Sequence, residues 1–487
     1  MILLGRTAGM ALAIALLVGI APARAANLQN VDLGKSATVW LAEDHTLPMV
    51  SFNISLPAGS AYDPAGKAGL AAFAGAMLDE GAGKLDSKAF KEALAGRAIN
   101  LSARAERDHL VISVSSLKEH VPEAMRLLQM ALLHPRFDAE AMTRVRTQIV
   151  QSLEQDQAEP PRVAARAFAG VFFGAHPYAH PTTGSIASIK AITAADLRAF
   201  AKSHWVTHGL KAAVAGDITL KEAQALLGKT FLPVPNKAVP PVPNIGRLGK
   251  PGVQIVAMDV PQPTATFGLP GIMRADPDFI PGYVANYILG GGGFSSRLTN
   301  EVRAKRGLTY GISTQLTAYD KAAVMEGNVA TRANAVRQTV QGVKDTMAAF
   351  AKDGPTQAEL DDAKTYLTGS FPLAFASNNG TAAQLGVFQR QNLDIGYVTR
   401  RNALIQAVTL EDVRRVARRL YDPARLTVVI AGTPSDGKPA PQRPRPPAPP
   451  EPNPPPSPTR PPATQPAQKP VDKPLTTTPG QMQRPNP

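Results

Sequence analysis

The chain has 487 residues, with 52 Lys and Arg against 38 Asp and Glu (formal charge +14), 45 prolines and no cysteine. That length leaves room for two or more sizeable cores, and the lack of cysteine excludes disulfide staples and thiol redox chemistry. The basic balance does not indicate nucleic acid: no nucleic-acid module is legible, and +5 of the charge lies within residues 438–487.

Residues 1–25 carry Arg6, an apolar run over 8–20 and the small-residue exit Ala23-Arg24-Ala25. This pattern predicts a secretory signal peptide cleaved after Ala25, and hence an exported, most naturally periplasmic protein. The run is shorter than the ~20 residues of a membrane span, and no cysteine is available for a lipid anchor. Residues 36–41 and 50–56 read as strands; Val50, Phe52, Ile54 and Leu56 alternate as on a half-buried sheet. After the turn Asp63-Pro64, residues 66–81 read as a helix whose inner face is Leu70, Phe73, Ala74 and Met77. Its other face holds only Ala72, Gly75 and Ala76, which can neither bind a metal nor move a proton. Residues 87–95 predict a helix capped by Ser87 and residues 109–115 a strand. Longer helices are expected over 121–133 and 139–158. The fold class is α+β, with helices covering one side of a mainly antiparallel sheet.

An internal repeat organises the rest. Ile192-Thr193-Ala194-Ala195-Asp196-Leu197 through Ala215-Gly216 is echoed 216 residues later by Val408-Thr409-Leu410-Glu411-Asp412-Val413 through Ala431-Gly432. Two homologous domains in tandem are therefore expected, at 26–231 and 253–434. The Pro- and Gly-rich stretch 232–252 reads as an extended linker and not a packed element. Residues 438–487 contain 20 prolines and almost no large apolar side chains, so 435–487 is expected to be a disordered tail with polyproline II character.

Leu289-Gly290-Gly291-Gly292-Gly293-Phe294-Ser295-Ser296-Arg297-Leu298 precedes Arg303-Ala304-Lys305-Arg306-Gly307-Leu308-Thr309-Tyr310. It is not a phosphate loop, because no Gly-Lys-Ser/Thr follows and the glycine spacing is wrong. Together with the segment 66–81, this stretch resembles the pitrilysin/insulinase-type zinc peptidases, which include the mitochondrial processing peptidase. In those enzymes an inverted motif, His-x-x-Glu-His, puts two zinc ligands one helical turn apart with the base between them. The resemblance places Ala72, Gly75 and Ala76 at these three positions. The family's distant glutamate ligand falls on Ser152, with Glu154 the alternative under a shifted alignment. By the same resemblance, Arg303 and Tyr310 are the substrate-binding pair, with Gly291, Gly292 and Gly293 as substrate-loop candidates. Read from residue types alone, Arg303 pairs in solvent with Glu301 or Glu326, and Tyr310 is strand core.

The resemblance implies two tandem domains facing each other as a clamshell. It also implies a zinc-less subunit that binds no cofactor itself and joins a homologous zinc-bearing chain, supplying Arg303 and Tyr310 in trans for peptide hydrolysis. The alternatives are a non-enzymatic scaffold or periplasmic peptide-binding protein of the same fold, and an independent peptidase with relocated ligands. The spaced pairs His176/His180 and His204/His208 are weak candidates for such ligands. The first lies in a proline-punctuated loop, and the second lies at the end of a helix with no acidic residue between its members.

Overall fold

The computed structural model describes residues 27–34 and 37–435; the expected signal peptide and the tail beyond residue 435 lie outside them. Six strands form the first sheet: β1 (Asn27–Val31), β2 (Ala37–Glu43), β3 (Met49–Leu56), β4 (Asn100–Ala105), β5 (Leu110–Leu117) and β6 (Leu210–Gly216), ordered β1-β2-β6-β3-β5-β4. The second comprises β7 (Gly252–Val256), β8 (Thr264–Pro270), β9 (Thr309–Ala318), β10 (Ala323–Thr331) and β11 (Thr427–Ala431), ordered β7-β11-β8-β10-β9. Only β2/β6 and β7/β11 pair in parallel. From β2 onward the second sheet therefore copies the first strand for strand, which is the structural content of the sequence repeat.

The first half contributes helices α1 (Leu70–Ala76), α2 (Ser87–Ala95), α3 (Val121–Leu133), α4 (Ala139–Ala158), α5 (Pro160–Phe173), α6 (Ile186–Ala191), α7 (Ala194–His204) and α8 (Leu220–Phe231). The second contributes α9 (Phe279–Asn286), α10 (Val336–Asp353), α11 (Gln357–Gly369), α12 (Asn378–Arg390), α13 (Tyr397–Gln406) and α14 (Leu410–Leu420). Each half has its own core, one around Phe52, Phe73, Phe90 and Leu128, the other around Phe267, Met347, Phe350 and Val413. Among the described residues no helix is long and apolar enough to cross a membrane.

Two helices leave their own half. Phe168, Phe172 and Phe173 of α5 pack with Val324 and Val429 of the second sheet. Reciprocally, Leu385 and Phe388 of α12 pack with Trp40, Ala213 and Ala215 of the first. The exchange corrects one expectation. Val50, Phe52, Ile54 and Leu56 do face the core, but the intervening Ser51, Asn53 and Ser55 are buried as well, not solvated. The polarity of Asn53 and Ser55 is satisfied by the visiting helix: Arg390 Nη1 donates to Asn53 Oδ1 and Ser55 Oγ, each at 3.0 Å. Gln389 Nε2 donates to the carbonyl of Ala212 at 2.8 Å. A polar row thus alternates with an apolar one because its partner is a helix carrying amide and guanidinium groups.

Three local expectations also change. The helix expected over 66–81 shrinks to α1: Gly69 (φ 90°) holds left-handed backbone that no helix continues through, and past Met77 the chain passes into turns that reach Gly81 (φ 109°). The cap of α2 is Asp86, whose carboxylate accepts from Ala89 N at 2.9 Å, and not Ser87. Residues 232–252 are extended as expected, yet docked. Val234 and Val242 are buried, and Pro235 O and Pro243 O accept from Thr207 N (3.0 Å) and His176 Nε2 (2.9 Å). Proline-rich backbone has few donors to satisfy, so it lies against the body at little cost.

Because Phe168 closes the seam between the halves at 1% exposure, Phe168→Ala is expected to cost about 3–5 kcal/mol in chemical denaturation.

Candidate functional site

Helix α1 starts where Asp63 accepts from Gly69 N (2.7 Å) and Ala71 N (2.8 Å). Its inner row, Leu70, Phe73, Ala74 and Met77, is buried as the periodicity requires. Ala72 and Ala76 are half-buried, and Gly75 is buried against β5. A Cβ built on Gly75 would meet Leu110 Cδ1 at 2.8 Å, so the leucine occupies the space a longer side chain would need. Ser152 and Glu154 on α4 are both exposed and flank the buried Leu153. Methyl groups, a hydrogen and a neutral hydroxyl do not make a zinc site. Among the described residues no group of three His, Asp or Glu is placed to hold a metal ion. The residues present do not fit the zinc of the peptidases this segment resembles.

One histidine of each pair is engaged elsewhere, and neither pair belongs to a metal-binding group among the described residues. His176 Nε2 bonds to Pro243 O, and its Nδ1 accepts from Tyr178 N at 3.2 Å. The ring of His204 stacks on Phe200 with centroids 4.5 Å apart, and its Nδ1 contacts Ser203 Oγ at 2.8 Å.

The glycine-rich stretch follows α9 as two π-helical turns, Tyr287–Gly291 and Thr299–Lys305, separated by a single 3-10 turn at Gly293–Ser295. Arg297 anchors it: both arms of its guanidinium bond the Glu359 carboxylate at 2.6 Å, while the group stacks on Phe350. That arginine is structural. Arg303, on the second π turn, instead lies over the ring of Phe294 at 4.6 Å. It forms no ion pair with Glu301, which is held by Lys305 at 2.6 Å, nor with Glu326. Tyr310 is 88% exposed and Phe294 78%. The expectation of Tyr310 as strand core fails because of a bulge. Ile312 pairs with Val329 but Thr309 with Thr331, so β9 carries one extra residue there. Thr309 Oγ1 stabilises it, accepting from Gly311 N at 3.0 Å and donating to Ala330 O at 2.7 Å. The extra residue turns both Tyr310 and Gly311 outward.

Between the halves lies a polar chamber of about 940 Å³. One wall is the β4–β5 turn, with Arg104, Glu106, Arg107, Asp108 and His109; the other is the outward row of β9 and β10, including Ser313, Gln315, Glu326 and Asn328. Gly291 lines it, whereas Arg303 and Tyr310 do not; Tyr310 is on β9 three residues before the lining residue Ser313 and faces outward as it does. Ala72, Gly75, Ala76 and Ser152 do not line it either.

Beside the β4–β5 turn lies a latch missed at the level of sequence. Tyr178 Oη donates to Asp108, and both receive backbone N–H groups from the β9–β10 turn: Asp320 N to Asp108 Oδ2 at 3.2 Å, Lys321 N to Tyr178 Oη at 3.1 Å. Arg107 donates to Tyr178 O and is enclosed by the rings of Phe173 (5.0 Å) and Tyr319 (5.2 Å). The only signal in the chain was the run Glu106-Arg107-Asp108-His109, four ionisable residues in a two-strand turn. Burial, with Lys211 and Arg390 nearby, pushes the His109 imidazole down to about 3. Asp320 is exposed as a residue, but partial withdrawal of its carboxylate from water, with the Asp108 carboxylate nearby, pushes it up to about 6.

Residues 38–185 match the family model described as insulinase (peptidase family M16), and residues 191–367 the peptidase M16 inactive domain. The chain is 28% identical over 364 residues to the non-peptidase homologue YmxG of Helicobacter pylori, covering 74% of this chain and 84% of that protein. It is 26% identical to a zinc protease of Mycobacterium bovis that is named as uncharacterised, over 71% and 79% of the two chains. The crystal structure of a peptidase M16 inactive domain from Pseudomonas fluorescens superposes with a TM-score of 0.80 at 31% identity, covering 85% and 99% of the two chains.

Filling the space beside Leu110 is expected to be destabilising: Gly75→Ala should lose about 1–3 kcal/mol, and the double variant with Leu110→Ala should lose less than the two single losses summed, as denaturant titration would show. His109 must stay neutral to remain buried, so its contribution is full above its unfolded value near 6.5 and is lost as pH falls from there toward about 3. Wild-type stability is expected to decline below pH 6.5 by up to about 1.4 kcal/mol per pH unit from this group, a slope that His109→Gln should flatten in denaturation curves between pH 7 and 5. Asp320 works in the opposite sense, its contribution being lost as pH rises from 3.8 through about 6, and Asp320→Asn should steepen the net acid decline.

Proposed function

Since the chain belongs to the insulinase family, peptidase family M16, as an inactive homologue of the non-peptidase type, we propose that it is the substrate-gripping subunit of an exported heterodimeric metallopeptidase. The zinc and the general base come from a homologous partner chain with an intact His-x-x-Glu-His motif. This chain contributes Arg303 and Tyr310 in trans. Export rests on the leader-like pattern of residues 1–25.

One contrast carries the reading. The positions that would hold a metal are alanine, glycine and serine packed or exposed without chemistry, whereas the guanidinium of Arg303 and the phenol of Tyr310 are intact, outward and without a hydrogen-bond acceptor among the described residues. Leaving donors unmatched on a surface is unremarkable in itself. Leaving them on a π turn and a bulge, both of which cost regular hydrogen bonding, is what a site held ready for a ligand requires. In the assembled enzyme the two donors would hold a peptide carbonyl and stabilise the negative charge that builds on its oxygen during hydrolysis. Phe294, stacked under Arg303, limits the orientations of the guanidinium before substrate arrives.

The isolated chain is expected to show no peptide hydrolysis and no stoichiometric zinc by elemental analysis. Mixed with its zinc-bearing partner it should give turnover, with Arg303→Ala or Tyr310→Phe lowering kcat/KM by about 100- to 1,000-fold, the range for one lost transition-state donor. Unchanged turnover in both variants would remove the assigned role, and failure to form a one-to-one complex would favour the peptide-binding protein acting alone.

A further inference from the structure

The chamber between the halves holds charged groups of both signs, but they are not equally available. Every guanidinium in it is already engaged. Arg104 Nη2 bonds Glu106 at 2.7 Å. Arg107 is spent on Tyr178 O and its aromatic enclosure. Arg390 is held by Asn53 and Ser55, with Glu106 at 3.5 Å. His109 is buried and neutral at pH 7.

Glu326 is the opposite case. It stands on β10 between Met325, which is in the second core, and Gly327, so its side chain shares the outward face with Asn328. Its cross-strand neighbours are Gln315 on β9 and Gly268 on β8. Neither is cationic, and Glu326 makes no ion pair or side-chain hydrogen bond among the described residues. It is half-buried, at the line where α5 stops covering the sheet: Val324, two residues earlier on the same face, lies under Phe168 and Phe172. A carboxylate partly withdrawn from water without a partner is costly to maintain as an anion, and burial accordingly raises its pKa. The charge that acts on it at longer range is that of Arg107, which is already committed to Tyr178 O.

We infer that Glu326 is a specificity residue that selects peptides carrying a cationic group, an arginine or lysine side chain or a free terminal ammonium, for the chamber. An incoming cation finds an acceptor without breaking any existing pair. An incoming anion would have to take an arginine from its present partners. The inference rests on the peptide-gripping reading above, and it adds the chemical class of the segment gripped.

The test uses the full chain and fluorescein-labelled twelve-residue peptides of Gly, Ser and Ala, acetylated and amidated, with a central Arg or its neutral isostere citrulline. Fluorescence anisotropy is expected to give about tenfold tighter binding of the arginine peptide, the scale of one partly desolvated charge pair. Glu326→Gln should erase that ratio while leaving the citrulline peptide's affinity and the thermal midpoint unchanged. A lysine peptide and a citrulline peptide with a free N-terminus distinguish a side-chain cation from the terminal ammonium. Asp320→Asn, at the exposed lip, should leave the ratio intact. A ratio that survives Glu326→Gln, or falls with Asp320→Asn instead, overturns the assignment. Equal binding of both peptides to wild type overturns it while sparing the peptide-gripping reading; no binding of either removes both.

Discussion

The architecture depends on one exchange: α5 lies on the second sheet and α12 on the first. Each sheet has one face covered by its own helices, and its second face would be half-wet without the visitor. Burying Phe168, Phe172 and Phe173 on one side and Leu385 and Phe388 on the other removes several hundred square ångströms of aromatic and aliphatic surface from water, and it ties the halves together at two separate places. The chamber is what remains of the inter-half faces once the two helices are in place. Its walls are polar because the rows they come from, Ser313, Gln315, Glu326 and Asn328, are the outward rows of strands whose inward rows fill the second core.

The same exchange explains how buried polar rows on β3 are tolerated. Asn53 and Ser55 would be expensive beneath an apolar helix. Beneath α12 they meet Arg390, which in turn needs acceptors because it is itself buried. The linker joins the arrangement, lending its carbonyls to His176 and Thr207. The latch of Asp108, Tyr178 and the β9–β10 turn adds a third, polar tie between the halves.

Against this frame, two sites have gone in opposite directions. On α1 the small residues and Leu110 have closed over the space that metal ligands and a base would occupy, so that region now contributes packing alone. On the second half a bulge and a π turn present Tyr310 and Arg303 away from the core, while Val302 of the same turn is buried in it.

Much of this was legible in the chain. Periodicity placed α3 and α4 residue for residue, and the repeat foretold two copies of one fold. What the tertiary structure decided were matters of register and company. The alternation of β3 could not say whether Ser51, Asn53 and Ser55 meet water or a helix, because both satisfy polar atoms equally. The residue types around Tyr310 could not reveal the extra residue that turns it outward. A local pattern specifies which atoms face the same way; which partner waits there depends on contacts between segments more than three hundred residues apart, such as Arg390 with Asn53.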